Sequence, residues 1–257
     1  MTQPLIINAD DFGLTDGVCQ AIVELGQNGG VSSTTAMLGV PEALPRIHRY
    51  WEKLTIPCGV HLHVTYGFPI SKSMQQYCAS RWEGNFPRSR PEIDFPLDIL
   101  LEECRAQLDL FITEFGRPSH FDTHHGFHRD SRYREGLLKL AKEYSLPTRG
   151  GRDGETPTAA SLGVIETNVI ESWSNAGWDT VEDGLLKLKE VFVQAKTNNL
   201  GGVWELVCHP GYTDDHLRAV TTLNDRRELE KAILSSPEGR EVLTQQGLVL
   251  TDFRSFK

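Results

Sequence analysis

Short apolar, β-branched runs alternate with longer segments of helical periodicity along the whole chain. Leu5-Ile6-Ile7-Asn8 predicts a first strand ending at Ala9-Asp10-Asp11-Phe12-Gly13. Thr15–Leu25 then places Val18, Ala21, Ile22 and Leu25 on one helical face. Val31–Leu38 and Gly59–Val64 predict further strands. The clearest helix spans Leu97–Phe115, where Leu97, Leu100, Leu101, Cys104, Leu108, Phe111, Ile112 and Phe115 keep the helical period and Pro96 sits at the first turn. A strand at His120–Thr123, a helix over Tyr133–Tyr144 and a short run at Leu146–Arg149 follow. Thr180-Val181-Glu182-Asp183 resembles a capping box opening a helix over Val181–Ala195. Gly202–Cys208 predicts an apolar strand, Arg226–Leu234 and Pro237–Gln246 two helices, and Leu248–Thr251 a last strand.

Strand–helix alternation implies parallel strands with their crossover helices outside. About seven or eight such units in this length predict an α/β fold, a distorted (β/α) barrel, as a single domain over residues 1–257. Two connections exceed the ~12–15 residues of a plain loop. Residues 65–95 carry Tyr66, Phe68, Tyr77, Trp82 and Phe86, and residues 150–179 carry Trp173 and Trp178. Such rings suit the flat faces of sugars, which predicts lids shaping a substrate groove. The plainer role for the same rings is packing each loop onto its own domain.

Composition then removes several classes of function. The chain has 26 basic and 35 acidic residues, a net charge of −9, with no basic face for nucleic acid. No apolar run approaches the ~18 residues of a membrane span, and the start lacks the basic and apolar regions of a signal peptide. Cys19, Cys58, Cys78, Cys104 and Cys208 follow neither a disulfide framework nor a structural zinc pattern, so a reducing, cytoplasmic setting is expected.

In a β/α barrel the chemistry lies at the C-terminal ends of the strands. The polar groups there are Asp10 and Asp11, then His61 and His63, then Asp122, His124 and His125, then His209. Asp10 and Asp11 suit the cap of the next helix, but adjacent carboxylates repel, and a nearby cation relieves that cost. His61 and His63 lie two apart, so a strand points both the same way, about 7 Å apart. Taken alone, that pair reads as buried core histidines before it reads as ligands. His120, Asp122 and His124 share one face, a polar row that packing alone does not explain. One carboxylate with two imidazoles from different strands makes a three-ligand metal centre with open positions, the pattern of catalysis. An Asp and a His then remain for proton transfer beside water whose pKa the metal lowers toward ~7.

Asn8-Ala9-Asp10-Asp11-Phe12-Gly13, Gly59-Val60-His61-Leu62, His120-Phe121-Asp122-Thr123-His124-His125 and Cys208-His209-Pro210-Gly211 resemble the YdjC-like carbohydrate deacetylases. Those include chitooligosaccharide deacetylases acting on N-acetylated glucosamine oligomers. The resemblance runs from residue 5 past residue 211 and implies a divalent-metal hydrolase removing acetyl groups from amino sugars. By position it makes Asp10 the general base, gives Asp11, His61 and His124 the metal, makes His209 the acid, and sets Arg149 near the base. Asp122 and His120 would orient ligands, and His63, His125, Trp82 and Trp173 would support the site or meet substrate. Magnesium is the ion the resemblance implies, whereas two imidazoles and one carboxylate suit Zn2+ or another transition metal. Two departures stand out: Gly126 falls where many relatives carry a further His, and His63 where they carry an apolar residue.

Two other functions compete. An amidohydrolase acting on a cyclic amide or other acylated small molecule would use His61-Leu62-His63 as its metal pair and a late-strand Asp, but the late strand offers His209 and no such Asp until Asp214. A non-catalytic sugar-binding relative would have no use for both Asp10 and His209. No Gly-x-Ser-x-Gly occurs for nucleophilic chemistry. The expected partner is an acetylated amino sugar, with a homodimer as the assembly of highest base rate.

Overall fold

β1 (Gln3–Phe12) runs through the centre of the sheet, buried on both faces from Leu5 to Phe12. The computed structural model describes residues 2–88, 93–151, 158–170, 173–174, 177–198 and 201–256. Thr15 starts α1 (Asp16–Asn28) by accepting the Val18 N–H at 3.2 Å, and Gly29 ends it in the left-handed region. Next come β2 (Ser33–Ala36), α2 (Ala43–Trp51), β3 (Cys58–Leu62), α3 (Lys72–Ala79), α4 (Leu97–Phe115) and β4 (Phe121–Thr123). A 3₁₀ turn over His124–Arg129 leads into α5 (Ser131–Tyr144), followed by α6 (Ala159–Leu162), β5 (Asn168–Ile170) and α7 (Val181–Thr197). β6 (Trp204–Cys208), α8 (Asp215–Val220), α9 (Asp225–Ser235), α10 (Pro237–Gln245) and β7 (Leu248–Leu250) complete the chain.

The strands run parallel in the order β4-β3-β2-β1-β6-β5, with β7 on the start of β1. Phe121 of β4 bridges Thr148, and Thr148 bridges Glu166 just before β5, so the two edges of the curled sheet meet through one short segment. The result is the expected distorted barrel. Its interior is polar: Leu5, Ile7 and Ala9 of β1 join the apolar layer under the helices. Asn8, between them, points inward and bonds Thr35 of β2 and Asp122 of β4. That alternation aims the strand-end carboxylates and imidazoles at one another.

The long helices fall where periodicity places them, α7 opening on Thr180, which accepts the Asp183 N–H at 3.1 Å. Residues 65–95 hold α3, and residues 150–179 hold α6 and β5; both segments lie partly outside the described residues. α2, α3, α6, α8 and β5 have no counterpart among the expected elements; α6 with four residues and β5 with three are too short to show a period. Among the described residues no helix is long and apolar enough to cross a membrane.

Candidate active site

A β-bulge between Ala9 and Phe12 begins the site. In regular strand, Asp10 and Asp11 would face opposite ways. Here Asp11 takes φ +71°, and the chain turns at Gly13, where φ is +99° and a Cβ would meet Ile47 Cδ1 at 2.9 Å. Both carboxylates therefore enter one cavity. His61 projects from β3, Asp122 from β4, His124 from the turn after it and His209 from the end of β6.

Three donor atoms converge. His61 Nε2 lies 3.2 Å from His124 Nδ1 and 3.4 Å from Asp11 Oδ1, and His124 Nδ1 lies 3.3 Å from that oxygen. This is the spacing of ligands held at roughly 2.1 Å by one ion. Asp11 Oδ2 accepts from Arg227 Nη2 at 2.7 Å, while the buried Oδ1 accepts no hydrogen bond. Asp122 Oδ1 sits 2.6 Å from His61 Nδ1, fixing the proton there and turning the Nε2 lone pair to the other donors. Burial alone would lower the His61 pKa, but Asp122 and then Asp10 raise it to about 9, so the site attracts positive charge. A divalent cation fits this donor set. Asp10, His61 and Asp122 also approach ligand spacing. There, however, Arg149 takes both oxygens of Asp10 and one of Asp122.

Arg149 binds Asp10 through a fork, Nη1 to Oδ2 at 2.8 Å and Nη2 to Oδ1 at 2.6 Å. Its Nη2 also reaches Asp122 Oδ2 at 2.6 Å, and its Nε donates to Glu205 Oε1 at 2.7 Å. Burial would raise the Asp10 carboxyl, but the charges of Arg149 and then His61 outweigh it and hold the group well below the usual carboxylate range. Asp10 Oδ2 faces the cavity, 3.9 Å from His61 Nε2 and 3.8 Å from His209 Nε2. An ionised acceptor thus stands between the donor triad and an imidazole. The cavity holds about 650 Å³ and is lined also by His125, Ile170, Ser174 and Thr222. A second recess of about 290 Å³, lined by Tyr66, Arg88 and Arg218, adjoins it across His124 and His125.

The family described as YdjC-like protein matches residues 4–245. The chain belongs to the YdjC-like family. A carbohydrate deacetylase of Vibrio parahaemolyticus is 32% identical over 97% of this chain and 94% of its own length. A chitooligosaccharide deacetylase of Yersinia enterocolitica is 32% identical over 98% of this chain and 99% of its own. A crystal structure from Enterococcus faecalis V583, of a protein assigned to cellobiose-phosphate cleavage, superposes with a TM-score of 0.85 at 30% identity, covering 99% of both chains.

This YdjC-like chain brings together Asp10, Asp11, His61, Asp122, His124, Arg149 and His209, and places His125 beside them, stacked on His124 with centroids 4.0 Å apart. Other residues singled out in the sequence lie elsewhere. His63 starts the loop beyond β3; its Nε2 accepts from Gly39 N at 3.0 Å and its Nδ1 meets Tyr66 O at 3.2 Å. Both ring nitrogens are thereby spent on backbone, and burial lowers its pKa to about 3. His120 stacks on Phe253 at the opposite end of the barrel, centroids 3.5 Å apart. Trp82 packs against Tyr77 and Phe95, and Trp173 is 1% exposed, its Nε1 donating to Gly184 O at 2.8 Å. Neither indole lines the cavity. Sequence reasoning missed Asn8, Glu205, Arg227, Ser174 and Glu230. A lone Glu205 inside an apolar strand was the visible signal, as were Arg227 and Glu230 in line with Ile233 and Leu234 on the inward face of α9.

Proposed function

We propose that the chain is a divalent-metal hydrolase that removes N-acetyl groups from amino sugars or short chitooligosaccharides. The observation that carries this is the donor triad Asp11, His61 and His124 beside a carboxylate and an imidazole, Asp10 and His209, 3.8 Å apart. The named activities of the Vibrio and Yersinia relatives support the substrate class.

Asp11, His61 and His124 would hold the ion, which when bound supplies Lewis acidity to an acyl carbonyl and to water. Asp10 accepts the proton of the attacking water through Oδ2, the oxygen that faces the cavity. Arg149 keeps that carboxylate ionised and fixed in orientation. His209 Nε2 takes up that proton from Asp10 Oδ2, 3.8 Å away, and delivers it to the amide nitrogen as the carbon–nitrogen bond breaks, giving acetate and a free amine. Two imidazoles and one carboxylate favour a transition ion such as Zn2+ over Mg2+, which prefers oxygen donors.

The amidohydrolase alternative loses its two supports, since His63 bonds backbone and Asp214 caps α8 by accepting the Leu217 N–H at 2.7 Å. The test is acetate release from N,N′-diacetylchitobiose by metal-loaded protein, against chelated protein and Asp10→Asn. Release abolished in both controls supports the reading; a rate untouched by chelation refutes it.

A further inference from the structure

We infer that Glu230, acting through Ser174, is a positioning residue that fixes His209 as the proton donor to the leaving amine; the proton-donor part rests on the deacetylase reading. His209 Nδ1 lies 3.1 Å from Ser174 Oγ, and that hydroxyl bonds Glu230 Oε1. A carboxylate only accepts, so the hydroxyl proton is committed to Glu230 and Oγ can only accept from the ring. His209 therefore carries its proton on Nδ1 and turns Nε2 into the cavity toward Asp10. Glu230 Oε2 also accepts the His209 backbone N–H at 2.6 Å, so one buried carboxylate orders both the ring and its backbone.

Ser174 is itself held in place. Arg226 Nη1 donates to its carbonyl at 3.3 Å, and the same guanidinium lies 4.9 Å from the centroid of the Trp178 ring. Trp178 stacks on Trp173 with centroids 5.2 Å apart and donates to the Trp173 carbonyl at 2.7 Å. The aromatic pair that the sequence pointed toward a substrate groove thus anchors the serine. Adjacent on α9, Arg227 holds Asp11, so one helix sets both the donor triad and the imidazole opposite it.

The test reads tautomer and chemistry separately. Two-bond ¹H–¹⁵N correlation spectra, with His209→Gln to assign the signals, should show the proton on Nδ1, and Ser174→Ala should lose that single tautomer. In acetate release from N,N′-diacetylchitobiose, Glu230→Gln and Ser174→Ala should lower kcat roughly 10–100-fold with KM within about twofold, and Ser174→Thr should restore most of the rate. Hydrolysis of p-nitrophenyl acetate, whose phenolate departs without a proton, should fall less than about threefold. A wild-type Nε2–H tautomer, an unchanged tautomer in Ser174→Ala, or equal losses on both substrates overturns the inference. No acetate release by the wild type, with the Nδ1–H tautomer present, refutes the deacetylase reading and upholds the positioning of His209.

Discussion

Replacing Arg149 by Met removes the only described cation bonded to three buried carboxylates at once. The guanidinium makes four close contacts, at 2.8 and 2.6 Å to Asp10, 2.6 Å to Asp122 and 2.7 Å to Glu205. Removing one partner of a buried ionic network costs ~3–5 kcal/mol, because the remaining charges stay buried without compensation. In a chain of this length that corresponds to a Tm lowered by roughly 6–20 °C. The pH dependence has a definite sign. With Arg149 present, Asp10 lies below its unfolded value of 3.8, so its contribution is full above that pH and is lost on acidification. Without Arg149, burial of Asp10 is countered only by His61 and His209, and Glu205, already raised by burial, loses its largest opposing charge, so both hold their protons more readily in the folded variant than in the wild type. The deficit of the variant is therefore largest near neutral pH and narrows toward pH ~4.5. Thermal unfolding of chelated wild type and Arg149→Met, followed by circular dichroism at both pH values, measures it. Arg149→Lys, with the charge but not the fork, should fall between them. A Tm within about 2 °C of wild type at neutral pH, or a deficit that grows on acidification, refutes the reasoning.

Chelated wild-type protein should lose stability as pH rises from 6.5 to about 9, since His61 is raised across that interval and binds its proton more tightly when folded. The full loss is about 3 kcal/mol, read from urea midpoints; a flat profile contradicts it. Arg227→Met removes the 2.7 Å donor to Asp11 Oδ2 and should weaken Zn2+ affinity roughly 10–100-fold by calorimetric titration, with wild-type affinity as the contrary result. Trp82→Ala, distant from the cavity, should lower stability by about 1–3 kcal/mol and leave KM for N,N′-diacetylchitobiose within about twofold. A large rise in KM would place Trp82 in the groove after all.

The chemistry was legible wherever an apolar strand ends abruptly in polar residues. Asp10 and Asp11 near the end of β1, His61 near the end of β3, Asp122 within β4 and His209 after β6 meet in space because parallel strands all end on one side. Long helices were legible because α4 and α7 each repeat an apolar stripe over several turns. The short run at Leu146–Arg149 was legible and carries the Thr148 bridge, but β5 was not, since three residues show no period of their own. Strand spacing pairs His63 with His61, but β3 stops at Leu62, and one residue beyond a strand no longer obeys its alternation. Trp173 illustrates a limit of composition: an indole in a long connection reads equally as substrate platform or as anchor, and only its bond to Gly184 decides. Arg227 and Glu230 escaped because charge on a helix ordinarily faces water, whereas here it completes the site.

The most direct test of the central claim compares metal content and acetate release in Asp10→Asn and Asp11→Asn. The account predicts that Asp10→Asn keeps its bound ion and loses ~10²-fold or more in kcat on N,N′-diacetylchitobiose, whereas Asp11→Asn loses the ion itself. Asp10→Asn protein that still releases acetate at the wild-type rate, or Asp11→Asn protein that binds the ion as tightly as wild type, would contradict it.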